Sequence, residues 1–206
     1  MIEIQNLNKR FHDNNVLNDL CINIKKGESA VIIGQSGTGK SVMLKCLLGL
    51  INPDSGSIKI NNKEIFDKNF KYIKKNNSNV GMLFQGGALF DSLPIWKNIS
   101  FTDLQKKISE KTCRVKSEQT LEKVGLGSEV LDLFPSELSG GMQKRVALAR
   151  AIFPEPDIIF FDEPTTGLDP ITADVINNLI IERVKELGAT ALTITHDMAS
   201  ARTIAS

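Results

Sequence analysis

The chain has 206 residues, a net charge of +1, 41% hydrophobic and 24% charged residues. This is the profile expected of a globular protein with one sizeable core, or one core and a small appended lobe. The charge balance gives no argument for nucleic acid or an anionic surface as a general partner, and no apolar run approaches the ~18 residues of a membrane-spanning helix.

Met1-Ile2-Glu3-Ile4 alternates like a strand and is not a signal peptide. Leu20, Ile22 and Ile24 alternate in the same way. Phe11, within Lys9-Arg10-Phe11-His12, reads either as a strand-end aromatic packed on the core or as a platform for a purine ring. Base–aromatic stacking of that kind is worth roughly 1–3 kcal/mol. His12 reads as surface. Lys26-Gly27 turns the chain into Ala30-Val31-Ile32-Ile33, a run with the length and branching of a buried strand. Cys21, Cys46 and Cys113 are odd in number and widely spaced, so they read as reduced thiols of a cytosolic protein.

Gly34-Gln35-Ser36-Gly37-Thr38-Gly39-Lys40-Ser41 follows that strand and fits G-x-x-x-x-G-K-[ST] without a mismatch. Val42, Met43, Leu44, Leu47 and Leu48 then recur at helical spacing. A glycine-rich turn between a strand and a helix start presents backbone N–H groups and the positive end of the helix dipole to an anion. This is a phosphate cradle, in which Lys40 reaches the β- and γ-phosphates and the Ser41 hydroxyl holds Mg²⁺.

Asn52-Pro53-Asp54-Ser55-Gly56 is a turn cluster, Ser57 to Ile60 alternates, and Asn61-Asn62 makes a hairpin tip. The basic segment from Lys63 to Lys75 reads as a solvated face. Val80-Gly81-Met82-Leu83-Phe84 is a further buried strand, with Gln85 at the carboxyl end where ligands collect in α/β sheets. From residue 86 to about 137 the composition changes to that of an inserted helical lobe. Pro94 opens a short helix holding Ile95, Trp96 and Ile99, and a polar helical stretch runs from Gln105 to Lys123.

Leu138-Ser139-Gly140-Gly141-Met142-Gln143 starts a helix that continues to Phe153. Ser139 is a good N-cap, and the paired glycines either do no more than start the helix or bare its end to an anion. Ile158 to Phe161 is an apolar strand ending in Asp162-Glu163. Adjacent carboxylates are costly there unless a cation or a water-handling task holds them, and no lysine or arginine can be assigned to them from the sequence. Ala191 to Thr195 is a strand ending at His196, at the same sheet edge as Gln85 and Glu163.

Together these pieces resemble the nucleotide-binding subunits of ABC transporters along the whole chain. Gly34 to Ser41 is similar to Walker A, Gln85 to the Q-loop, Leu138 to Gln143 to the signature motif, and Ile158 to Asp162 to Walker B. Glu163 is similar to the catalytic glutamate, Asp169 in Gly167-Leu168-Asp169 to the D-loop aspartate, and His196 to the switch histidine. The resemblance also aligns Phe11 with the aromatic that stacks on adenine. It implies an α/β P-loop NTPase: a RecA-like core with an antiparallel β subdomain and an inserted α-helical subdomain. Residues 1–206 then form a single nucleotide-binding domain, with 1–85 and 138–206 as core and about 86–137 inserted.

The implied cofactors are ATP and Mg²⁺. Gly34, Gln35, Ser36, Gly37, Thr38, Gly39, Lys40, Ser41 and Gln85 would bind the nucleotide, and Ser139, Gly140, Gly141 and Gln143 would complete the site from a head-to-tail partner copy. Ser41, Gln85 and Asp162 would hold the metal. Glu163, His196 and Lys40 would be catalytic, and Asp169 would link the two sites.

The stretches Gly86 to Phe101 and Asp162 to Asn177 further resemble ATPases of Mla/Mce-type phospholipid transporters. That likeness implies lipid transport in a bacterial envelope, integral-membrane permease subunits, an Mce-type lipid-binding protein, and a place on the cytoplasmic side of the inner membrane. Gly86 to Phe90 and Trp96 are either permease contacts or part of the lobe's own core. An importer of amino acids or another small solute is the alternative. A DNA-repair ATPase of this class needs a long coiled coil for which 86–137 is too short, and no nucleic-acid partner is expected. Members of the family run on beyond the switch histidine, so a shortened C-terminal end is expected here.

Overall fold

The computed structural model describes residues 1–35, 37–73 and 79–205. Its strands are β1 (Ile2–Phe11), β2 (Asn14–Ile24), β3 (Ser29–Ile33), β4 (Ser55–Ile60), β5 (Lys63–Glu64), β6 (Val80–Leu83), β7 (Ile158–Asp162) and β8 (Thr190–Thr195). Its helices are α1 (Lys40–Leu47), α2 (Ile95–Ile99), α3 (Phe101–Gln105), α4 (Glu110–Lys123), α5 (Gly140–Ile152), α6 (Pro170–Leu187) and α7 (Met198–Ile204).

The alternating isoleucines near the N-terminus build an antiparallel sheet in the order β2-β1-β4-β5. Ile2 stands opposite Ile24 on one side and Ile60 on the other, and Ile4 opposite Ile22 and Ile58. A strand period of two sends these side chains to one face, so Ile2, Ile4, Ile24, Ile58 and Ile60 are buried together. Asn61 and Asn62 both have positive φ, 53° and 60°, the conformation that a two-residue hairpin with the right-handed twist requires.

The second sheet is parallel, in the order β3-β8-β7-β6. Its central strands are apolar on both faces, as strands covered from two sides must be. Ile158 and Phe160 of β7 join the cluster under the antiparallel sheet, while Ile159 and Phe161 join the cluster under the helices. One sheet therefore holds two cores together. Parallel pairing needs crossovers, and α1, α5 and α6 lie in those connections.

The helical stretch expected from Gln105 to Lys123 is broken. α3 ends at Gln105, Lys107 adopts φ 63°, and Ser109 caps α4 by accepting the Thr112 N–H at 3.2 Å. A serine that can take an N–H starts a new helix more favourably than it continues an old one. Trp96 is buried at 6% exposure, with Lys97 and Arg114 lying 5.0 and 5.9 Å from its ring, so it belongs to the lobe's own core. Lys63, Lys68 and Lys71 are exposed, as a solvated basic face requires; the rest of that segment, 74–78, lies outside the described residues.

Candidate functional site

The chain leaves β3 at Ile33 and re-enters helix at Lys40, so Gly34 to Gly39 must turn sharply at the sheet's carboxyl edge. Gly37 and Gly39 take φ of 85° and 90°, open to glycine and strained for other residues. At Gly39 a Cβ would also come within 2.6 Å of the Val16 carbonyl. Ser36 lies outside the described residues. The first turn of α1 has no acidic residue and no side-chain cap, which leaves its N–H groups to an anion. The Lys40 ammonium donates to the carbonyls of Gly34 at 2.5 Å and Gln35 at 2.8 Å, and the Thr38 hydroxyl donates to Gln35 at 2.9 Å.

This loop walls a cleft of about 770 Å³ together with Val16, Gln85, Glu163 and His196. The topology thus brings the ends of β3, β6, β7 and β8 to one place. Asp162, at the end of β7, lies half-buried at the same edge. Its Oδ1 is buried without a hydrogen-bond partner among the described residues. Burial pushes the Asp162 carboxyl above its ordinary range and Glu163 adds to the rise, while Lys45, the Ser41 hydroxyl and Lys40 oppose it. An orphaned carboxylate oxygen beside a serine hydroxyl and a glutamine is a hard-oxygen donor set, and it fits Mg²⁺.

Glu163 is 8% exposed and sits at φ 50°, a conformation that costs a non-glycine residue energy and recurs at active sites. Its N–H donates to the Ile194 carbonyl at 2.8 Å, so the β7–β8 pairing holds this geometry. Oε2 accepts from His196 Nδ1 at 2.7 Å and from the Thr166 hydroxyl at 3.2 Å.

The signature residues lie elsewhere. Ser139 caps α5, accepting the Met142 N–H at 3.3 Å, and with Gly140, Gly141 and Asp169 it lines a separate cleft of about 460 Å³. Asp169 caps α6 through the Thr172 N–H at 3.0 Å and hydroxyl at 2.6 Å, and the Thr172 bonds hold its carboxyl below the usual range.

Two expected nucleotide contacts line neither cleft. Gln143 turns its amide into its own chain, donating to the carbonyls of Pro135 at 2.8 Å and Leu138 at 3.3 Å, because a first-turn side chain points back over the residues before the helix. Phe11, beside the β1–β2 hairpin tip, is not on the cleft wall; its ring is 40% exposed with the Lys9 ammonium 5.3 Å from its centroid, and Val16 lines the cleft instead.

The basic residues that the sequence could not assign to Asp162 and Glu163 are supplied by the fold. Lys45 from α1 acts on Asp162, and Lys144 from α5 is itself drawn by both carboxylates. These influences act through space across the fold and leave no trace in local spacing. One signal for Lys144 did exist: with Ala147, Leu148 and Ala151 it occupies a buried i, i+3, i+4, i+7 stripe, where a charge is out of place.

Comparison with known proteins agrees with this architecture. The chain is 40% identical over 205 residues to a probable ribonucleotide transport ATP-binding protein, mkl, of Mycobacterium leprae, covering 98% of this chain and 58% of that protein. It is 42% identical over 198 residues to a methionine import ATP-binding protein, MetN, of Clostridium tetani, covering 96% and 62%. It is 38% identical over 206 residues to a glutamine transport ATP-binding protein, GlnQ, of Geobacillus stearothermophilus, covering 100% and 84%. The chain thus spans about three fifths of the length of the first two. Among solved structures, the dimeric bacterial ABC transporter cassette MJ0796 superposes with a TM-score of 0.86 at 32% identity, covering 98% of this chain and 91% of that one. The same cassette in a post-hydrolysis dimer bound to ADP and Pi gives 0.85 at 31%. The P-loop NTPase fold is shared with these cassettes, the family model described as ABC transporter matches residues 17–166, and the chain belongs to the ABC transporter family.

Proposed function

We propose that this chain is the ATP-binding, ATP-hydrolysing subunit of an ABC transporter, and that two copies act head to tail beneath a membrane permease. One observation carries the reading. Walker A, Gln85, Glu163 and His196 share one cleft, whereas Ser139, Gly140, Gly141 and Asp169 line another. A nucleotide in the first cleft can meet a signature motif only on another copy. The dimeric state of the similar solved cassettes supports this arrangement. The chain acts as one nucleotide-binding domain, with 1–85 and 138–206 as its core and about 86–137 as its inserted helical part.

In this reading Gly34 to Ser41, Ser36 included, wrap the phosphates with backbone N–H groups, and Lys40 exchanges the loop carbonyls for phosphate oxygens. Ser41, Gln85 and Asp162 hold Mg²⁺, which when bound offsets charge on the β- and γ-oxygens. Glu163 takes a proton from the attacking water. His196 leaves Glu163 to hold the γ-phosphate. The partner's signature N–H groups close the site, and Asp169 links the two sites across the dimer. Phe11 stacks on adenine at the open side of the cleft.

No helix among the described residues is long and apolar enough to cross a membrane, which accords with attachment to a permease at the cytoplasmic face of the inner membrane. The phospholipid cargo expected from Gly86 to Phe101, and with it an Mce-type partner, gains no support from the relatives' names. Those name methionine, glutamine and ribonucleotide transport. An importer of amino acids or another small solute is the better-supported cargo reading. Purifying the full-length protein with its permease tests it: co-purified phospholipid and an Mce-type subunit would restore the lipid reading, and a solute-specific permease would exclude it. The ATPase reading itself fails if the full-length protein does not bind MgATP, or if Lys40→Ala leaves turnover intact.

A further inference from the structure

The first residues of the loop that follows β6 are held by one helix, α5, while Phe90 farther along is held by Asn98 of α2. Lys144 Nζ donates to the Gln85 carbonyl, and Arg150 donates to the carbonyls of Gly87 and Ala88, each at 2.6 Å. Gly87 rests against Ala147, where an added Cβ would lie 3.6 Å from the alanine methyl. Lys144, Ala147 and Arg150 all belong to α5, whose first residues are the signature glycines.

Lys144 is the costly member of this set. It is 7% exposed and stands on the apolar stripe of α5, where a methionine would fill the same space without desolvating a charge. Burial draws its pKa down, while Asp162 and Glu163 act the other way. Charge-assisted bonds are roughly twice as strong as neutral ones, and a guanidinium fork also fixes direction. A buried ammonium spent on a backbone carbonyl fixes where Gln85 sits.

We propose that Lys144 and Arg150 are positioning residues that strap the Gln85 loop to the signature helix, so that Gln85 and Ser139–Gly141 move as one body. The proposal rests on the roles given above to Gln85 and to the signature. Its consequence is that the helix reading the partner's nucleotide also sets the metal-site glutamine of its own nucleotide, which couples the two sites of the dimer through α5. Lys144 touches neither phosphate nor metal in this scheme.

Hydrogen exchange of the full chain, without nucleotide, tests the strap directly. Lys144→Met is expected to speed exchange of the 86–90 amides about tenfold, the loss of one charge-assisted bond, while exchange in β1 and α6 and the melting temperature stay as in the parent. The same variant should need several-fold more Mg²⁺ for half-maximal turnover with ATP affinity in chelator unchanged, and Lys144→Arg should restore both. Arg150→Lys, which keeps the charge and loses the fork, should loosen the 87–88 amides alone. Unchanged protection at 86–90, a uniform rise in exchange with a lowered melting temperature, or no rescue by arginine would overturn the proposal. If the parent protein fails to bind MgATP, the ATPase reading falls, and the exchange result still decides the strap.

Discussion

His196 Nδ1 donates to Oε2 of Glu163 across 2.7 Å, and the Thr166 hydroxyl reaches the same oxygen at 3.2 Å. With the His196 backbone N–H at 3.4 Å, the oxygen that would take a proton from water is therefore already engaged by three donors. Glu163 is 8% exposed and holds φ 50° at the end of β7, so its carboxylate is presented from a fixed point of the sheet edge.

Glu163→Gln is expected to slow hydrolysis by about 10²- to 10⁴-fold, the usual range for removing a general base, with MgATP still bound. Single-turnover hydrolysis beside equilibrium binding separates the two effects. Thr166→Val removes one charge-assisted hydrogen bond to the carboxylate and should cost about tenfold or more in turnover, on the order of 1.5–3 kcal/mol. A Glu163→Gln protein that hydrolyses ATP at the parent rate would remove Glu163 from the role.

Asp162 carries the opposite balance of stability and function. Its carboxyl is held above the ordinary range, so its stabilising contribution is present at low pH and is lost as pH rises through the folded value. Asp162→Asn should therefore raise the melting temperature at neutral pH in metal-free buffer. The gain should vanish towards about pH 4, the ordinary aspartate range. Turnover at any Mg²⁺ concentration should be lost in the same variant. Thermal melts over that pH range, with a Mg²⁺ titration of activity, check both halves.

Acid should loosen the antiparallel sheet. Asp54 accepts from Lys9 at 2.8 Å and from the Arg10 N–H at 2.7 Å, and these bonds hold its carboxyl below the usual range. Asp197 is held down in the same direction, first by Ser200. A depressed folded pKa contributes stability above the ordinary value of about 3.9 and loses it as pH falls through the folded value. Melting temperature should fall below about pH 4, and Asp54→Asn should flatten part of that slope. A slope identical to the parent's would show that the Lys9 contact does not act in solution.

Gly81 places β6 against α5, because a Cβ at this position would run into the Ala151 carbonyl. Gly81→Ala must push the helix off the strand and is expected to cost about 1–3 kcal/mol, the usual overpacking range. Since α5 carries the signature and the strap on Gln85, the variant should lose activity beyond its loss of stability. Chemical unfolding and turnover at a temperature where the protein stays folded measure the two separately.

The amino-acid sequence by itself determined the phosphate loop, the strand ends that carry Gln85, Asp162, Glu163 and His196, and the family. Each of these is local: a glycine spacing, an apolar run of strand length, a polar residue where the run stops. It also determined the antiparallel hairpins, since Ile2, Ile4, Ile58 and Ile60 state their shared face by alternation. Only the tertiary structure decided which cations face the carboxylates, for Lys45 and Lys144 come from helices that packing, not spacing, brings to β7. It also decided that Gln143 serves its own chain, that Trp96 is core, and that the signature and Walker A line different clefts. Periodicity records which face of an element is apolar. It carries no information on which distant element covers that face, and that pairing is what places a buried charge beside its partner.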